Sequence, residues 1–279
     1  MMFFRIFQVM EEFKLHVAPA IQEDVASMLG DASLVITVMG KPVVNKLLHW
    51  FSAKELGEYE TLFDPSKGTS TLDGVDRRFT WLRKWLREYT PSYSAVFAPS
   101  WNAPRCLCEE FCAMTRKHFS VMLHKASKDM DVRLLLHVMQ RTIQLEEELT
   151  RRFTAGAGGV DEGDTTGGQR LHGARGGDFS RMISGVFKPY MPLYLKLETA
   201  HMVDLVKKLV SEETWGPNPQ VEEDADDDDL QVLHSSGELF IYIKRSLLQC
   251  KDVDTGETML HLSHSFTTIL VKYAEQLHK

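Results

Sequence analysis

Cys106, Cys108 and Cys112 fall within seven residues, and His118 follows shortly after. Thiolate and imidazole are zinc's preferred ligands, but a closed site needs four that converge, usually as two pairs separated by a loop. On a helix Cys108 and Cys112 share a face while Cys106 points elsewhere. The spacing therefore predicts buried, inert thiols. His261 and His264 share a helical face, yet two ligands alone do not make a site. Asp226 to Asp229 lack the Gly turn and the terminal Glu of a calcium loop, so a solvated acidic linker is expected, with docking on a basic partner as the functional alternative. Gly156, Gly158 and Gly159 begin a phosphate-cradle spacing, but Asp161 stands where its third Gly belongs and no strand precedes it. The sequence has no G-x-x-x-x-G-K-[ST], H-E-x-x-H or G-x-S-x-G. No catalytic, cofactor-binding or metal-binding residue is assigned, and no enzyme activity is expected.

One further cluster invites a binding role. Arg77, Arg78, Arg83, Lys84 and Arg87 surround Trp81 and Trp85. The plain reading is a helix with an apolar inner arc and a charged outer face. The functional reading is a surface for protein or membrane, with Trp81, Trp85, Arg77, Arg83, Lys84 and Arg87 as candidate partner-facing residues. Nucleic acid is not expected. The formal charge of −7 comes from seven acids between Glu222 and Asp229, and the rest of the chain is formally neutral.

The elements that would position these groups are helical. Hydrophobic residues make up 43% of the 279 and charged ones 25%, which fits an ordinary globular chain. Phe3, Phe7, Met10, Phe13, Val17, Ile21, Val25 and Met28 keep helical spacing, with a bend expected at Pro19. Leu34 to Met39 reads as buried helix, and Gly40 and Pro42 punctuate the chain after it. Ser52 with Glu55 predicts a helix start by capping-box spacing, running to about Phe63. Leu72, Val75, Phe79, Leu82, Leu86 and Tyr89 give the most regular stripe. Asn102 with Pro104 opens a long helical stretch with a joint at Ser127 to Asp131. Its first stripe is Leu107, Phe111, Met114 and Val121; its second is Val132, Leu135, Met139 and Ile143.

Residues 1–153 are thus expected to form a helical bundle segment. Residues 154–177, with nine of the eighteen Gly, read as a disordered linker. Helix is expected again over residues 178–214, kinked or divided at Pro189 and Pro192. Residues 215–233 read as a second, acidic disordered linker. Residues 234–279 read as a helical hairpin, opened by Ser235 and Glu238 at capping-box spacing and turned at Asp254 to Gly256. The whole predicts an all-α, elongated multi-helix bundle or rod of nine to eleven helices without a sheet. The four cysteines suit a reducing compartment, and no signal peptide or membrane span is read.

Several blocks resemble one known family. DRRFTWLRKWLREY (Asp76 to Tyr89) is similar to its D-R-R-[YF]-x-W-[IL] segment. EFCAMTR (Glu110 to Arg116) resembles E-F-C-x-x-T-R. VRLLLHVMQRTIQLEEELTRRF (Val132 to Phe153) resembles its V-K-L-L-L-x-x-x-Q-R-T helix. ISGVFKPYMPLYLKLE (Ile183 to Glu198) is similar to I-x-x-x-F-[EK]-P-[YH]. SSGELFIYIKRSLLQCKDVDTGETMLHL (Ser235 to Leu262) follows [LF]-F-x-[YF]-x-K-x, then Q-C and T-G-E-x-M. In this order they resemble the vacuolar protein sorting-associated protein 53 family and correspond to the middle of its chains.

The resemblance implies a non-catalytic subunit of the GARP and EARP vesicle-tethering complexes. These serve endosome-to-Golgi retrograde transport and endosomal recycling. It implies the other tether subunits as partners, with SNAREs and small GTPases beyond them, and no cofactor. It implies a cytosolic protein, peripheral at trans-Golgi network and endosome membranes. The competing expectation is a generic helical scaffold with unrelated partners.

Overall fold

The computed structural model describes residues 19–67, 71–126, 130–154, 178–213, 233–254 and 256–278. The stripe from Phe3 to Val17, most of the Gly-rich stretch and the acid run lie outside the described residues. Side chains of residues 19–25 and of Ser92 are likewise outside them.

Among the described residues there are eight α-helices and no strand, in keeping with the all-α expectation. They are α1 (Pro19–Val38), α2 (Lys41–Leu62), α3 (Val75–Tyr93), α4 (Ala103–Ala126), α5 (Val132–Thr154), α6 (Met191–Glu212), α7 (His234–Lys251) and α8 (Glu257–Leu277). Short 3-10 segments cover Leu72–Gly74, Pro99–Trp101 and Ser184–Tyr190. The helices belong to two compact units: residues 1–130 with 141–186, and residues 131–140 with 187–279.

In the first unit α1 packs on α2, α2 on α4, and α3 on α4. The run from Leu34 is helical to the end of α1 at Val38, but it is not buried as expected: Ile36 points inward while Leu34, Val35, Val38 and Met39 are exposed. Gly40, at φ 97°, then breaks the chain before α2 starts at Lys41 with Pro42 in its first turn. A Cβ on Gly30 would stand 2.7 Å from the Ala95 carbonyl oxygen, so only Gly lets α1 approach the turn after α3 this closely. Trp101 ties the same region together, its Nε1–H donating to Thr37 Oγ1 at 2.9 Å.

The capping-box reading at Ser52 is overturned. Ser52 lies fully buried in the interior of α2, eleven residues past its true start at Lys41. Glu55 instead accepts the Trp85 indole N–H at 2.8 Å and the Tyr93 hydroxyl at 3.1 Å. On α4 the expected stripe holds at Leu107 and Phe111, which are buried, and then turns away: Met114 is half-buried and Val121 exposed, while Cys108, Cys112, Thr115, His118 and Phe119 are buried.

The expected helix at Asp178 is also corrected. The stretch before Ser184 is turned, with Arg181 left-handed at φ 61°. Its backbone is claimed by Glu146 of α5. That buried carboxylate accepts N–H bonds from Arg181 (3.1 Å), Ile183 (2.6 Å) and Ser184 (2.8 Å), and the Ser184 hydroxyl at 2.7 Å. Burial raises the Glu146 pKa, and these four bonds pull it back. Once these donors are taken, and with Pro189 lacking one, an α-helix cannot run through.

In the second unit α6 packs along α8, and α7 lies against both. Met202, Val206 and Leu209 of α6 and Leu262, Phe266 and Ile269 of α8 are buried. Glu198 on α6 accepts the Tyr242 and Ser246 hydroxyls of α7 at 2.8 and 2.9 Å. Ser235 is not the N-cap of α7. That position is Leu233, and Glu213 accepts the Ser235 N–H at 3.0 Å while the Ser235 hydroxyl bonds Tyr273 at 2.6 Å. Gly256 is the N-cap of α8, and Asp254 before it accepts the Gly256 N–H at 3.0 Å and the Thr258 hydroxyl at 2.6 Å.

Replacing Glu146 with Ala leaves the buried N–H groups of Ile183 and Ser184 and the Ser184 hydroxyl without this acceptor, and the part-buried Arg181 N–H as well. The expected cost is roughly 2–4 kcal/mol in urea unfolding, against less than about 0.5 kcal/mol for exposed Glu147→Ala.

Candidate functional site

A buried polar cluster in the first unit is built around Arg78. α3 carries Val75, Phe79, Leu82 and Leu86 on its buried stripe, and Arg78 projects beside them. Sequence reasoning set Arg78 among outward charges, but its side chain is fully buried. Nη1 donates to Tyr59 Oη at 3.1 Å and to His118 Nδ1 at 3.2 Å, and Nη2 donates to the Phe63 carbonyl at 3.0 Å. The guanidinium carbon lies 4.9, 5.7 and 5.9 Å from the ring centres of Phe63, Phe119 and Tyr59. Cation–π attraction is strongest in such a dry setting.

The donors fix the protonation of the neighbours. Arginine only donates, so His118 Nδ1 accepts and its ring is neutral there. Burial first, then the Arg78 charge, holds the His118 pKa below the ordinary imidazole value. The Tyr59 oxygen accepts from Arg78, and its hydroxyl carries a proton within a 2.7 Å hydrogen bond to Thr115 Oγ1 in which either group can donate. Burial raises the Tyr59 pKa, so that proton stays in place at neutral pH.

Three of the four cysteines, Cys106, Cys108 and Cys112, lie on α4 with His118. Cys108 and Cys112 are fully buried, and Cys106 is half-buried with the Ser52 hydroxyl 3.9 Å from its sulfur. Burial pushes all three thiols up, which keeps them protonated and unsuited to nucleophilic attack or metal binding. Among the described residues no three His, Cys, Asp or Glu side chains converge as metal ligands. His261 is exposed and 3.8 Å from Glu257; His264 is exposed as well.

The six candidate partner-facing residues separate into two sets. Trp85 is buried, with its indole N–H on Glu55. Arg83 donates twice to Glu148 Oε2 of α5, at 3.0 and 2.7 Å, and Arg141 of α5 reaches back to Asp76 at 2.6 Å. Trp81 is half-buried, its ring 5.2 Å from Tyr59 and parallel to Phe111 at 6.4 Å. Arg77, Lys84 and Arg87 are exposed. At 100° per residue they form one strip on the outside of α3.

Comparison with known proteins decides what this assembly is. Residues 5–214 match the family model described as Vps53, N-terminal. The chain belongs to the Vps53 family. It is 28% identical to vacuolar protein sorting-associated protein 53 A of Arabidopsis thaliana, over 89% of this chain and 34% of that protein. It is 30% identical to protein 53 B of the same plant, over 67% of this chain and 32% of that protein. The homologue of Caenorhabditis elegans is 30% identical over 44% of this chain and 16% of its own length. This Vps53-family chain therefore spans about a third of the two plant relatives it matches. The matching model is the family's N-terminal one, where the sequence blocks alone place the chain in the middle. No solved structure matches.

The Arg78–His118 contact makes stability depend on pH. A His with a lowered folded pKa binds fewer protons than its unfolded counterpart. Its contribution is therefore complete above the ordinary imidazole value of about 6.5 and is lost as pH falls below it. Urea unfolding between neutral and mildly acid pH should show this loss. His118→Gln, which keeps an acceptor but cannot be charged, should flatten the dependence.

Proposed function

We propose that this chain is a subunit of a multisubunit vesicle-tethering complex of the GARP/EARP type. It acts by protein–protein binding in endosome-to-Golgi retrograde transport and endosomal recycling. The observation that carries this reading is the family match over residues 5–214, three quarters of the chain. The relatives are named for vacuolar protein sorting, which is the same branch of membrane traffic. Its partners are the other tether subunits, with SNAREs and small GTPases acting further out. It works from the cytosol, peripheral at trans-Golgi network and endosome membranes. Among the described residues no helix is long and apolar enough to cross a membrane. The role is one of binding, not catalysis. The segments flanking residues 178–214 serve as linkers between helical parts.

The strip Arg77, Lys84 and Arg87, with the open edge of Trp81, is the partner-facing surface on α3. Rim charges of this kind steer association more than they set its strength.

Tagged chain expressed in its own cell type should bring down the other tether subunits, identified by mass spectrometry. Capture of none of them, with cytoskeletal or nuclear neighbours instead, would replace the tether with a generic scaffold. Joint reversal of Arg77, Lys84 and Arg87 to Glu should lower that recovery by roughly tenfold with helicity unchanged.

A further inference from the structure

We propose that the outward face of α7 is a contact surface for an anionic membrane. The proposal rests on the peripheral membrane role above and gives it a location. α7 turns Ser235, Leu239, Ser246 and Cys250 inward. The opposite arc carries Phe240, Ile241 and Leu248, which are 57%, 70% and 52% exposed. The apolar stripe that positions the helix leaves these three out, so they do not serve the packing of the second unit.

The same arc carries exposed Lys244, Arg245 and Lys251. At 100° per residue the six side chains span about 140° in the order Phe240, Lys251, Lys244, Leu248, Ile241, Arg245. Glu238 is the one acid in α7, and His234 stands 3.3 Å from it. The face is therefore apolar and basic at once.

That interleaving chooses the occupant. A partner helix needs an unbroken apolar seam with its charges at the flanks. Here Lys244 sits one turn from both Phe240 and Leu248 on a single row, and a packed helix would strip its ammonium of water. A lipid headgroup layer sets no such condition. The Lys and Arg stems lie along the apolar surface and carry their charges to the phosphates, while the Phe, Ile and Leu tips enter the acyl boundary. Anionic lipids add attraction for each cation near the surface.

The test is flotation of the full chain with vesicles of phosphatidylcholine alone and of phosphatidylcholine with phosphatidylserine. Binding is expected to the serine-containing vesicles, weakening as salt is added. Lys244→Glu with Arg245→Glu should lower it by roughly tenfold or more. Phe240→Ser with Ile241→Ser should lower it as well, at unchanged charge. Circular dichroism should show both variants as helical as the parent chain. Equal binding to both vesicle types, or binding that neither pair of substitutions alters, overturns the proposal. So does capture of an acidic protein by this face with no vesicle binding. Recovery of tether subunits is read separately. If they co-purify while vesicle binding fails, the membrane surface is wrong and the tether reading stands.

Discussion

A guanidinium taken out of water sets the terms for the first helical unit. Burying such a charge costs on the order of several kcal/mol, and the loss is offset only where geometry supplies partners in the right places. Arg78 of α3 finds them on two other helices: the Tyr59 hydroxyl and Phe63 carbonyl at the end of α2, and the His118 imidazole of α4. Apolar burial is non-directional and drives the helices together without choosing their register. The planar fork of Arg78 does choose. A slip of α2 or α4 by one residue would remove an acceptor and leave a dry cation facing apolar atoms. A lysine could not reach all three acceptors from one point charge.

Glu146 does similar work with the opposite sign. It holds a segment that has no intrinsic reason to order, turning the backbone N–H groups of Arg181, Ile183 and Ser184 onto one carboxylate. In the second unit smaller contacts suffice: Glu198 with Tyr242 and Ser246, and Ser235 with Tyr273. In each case a polar atom on one helix is satisfied by another element, so helix formation and helix pairing are coupled. The Tyr59 ring shows the same economy. It carries one end of the Arg78 network and packs against Phe63, Trp81 and Phe111.

Periodicity made the helices legible wherever one face is apolar and uninterrupted. Leu72 to Leu86 is the clearest case, since its stripe is buried residue for residue. Gly40, Pro42 and Asn102 marked true boundaries because their backbone preferences are local. The misreadings share a cause, which is that a long-range partner overrode a local signal. Ser52 and Glu55 have the spacing of a helix start, but the same spacing occurs inside any helix, and Glu55 is there for Trp85 and Tyr93. The turned segment before Ser184 depends on Glu146, more than thirty residues away. Arg78 was hidden because a charge pattern shows which residues are ionic and not which of them have found acceptors. Its one signal was position: it adjoins Phe79 and lies one turn from Leu82, on the edge of the buried stripe.

The groups with the most reactive chemistry in the described chain are the ones most fully committed to holding it together. The Cys108 and Cys112 thiols are kept protonated by burial, and the free nitrogen pair of His118 is occupied on one side by Arg78. Chemistry of that kind, turned inward, stiffens a scaffold. What remains on the outside is of another type. On α3 the cations stand beside no more apolar area than the open edge of half-buried Trp81, so they present mainly charge. On α7 the cations and the large apolar residues share one arc, so they present both together. Charge alone suits a wet protein rim, where water need not be displaced. Charge mixed with apolar tips suits a boundary that is itself part water and part hydrocarbon. The two faces therefore differ in what they can exclude as well as in what they attract.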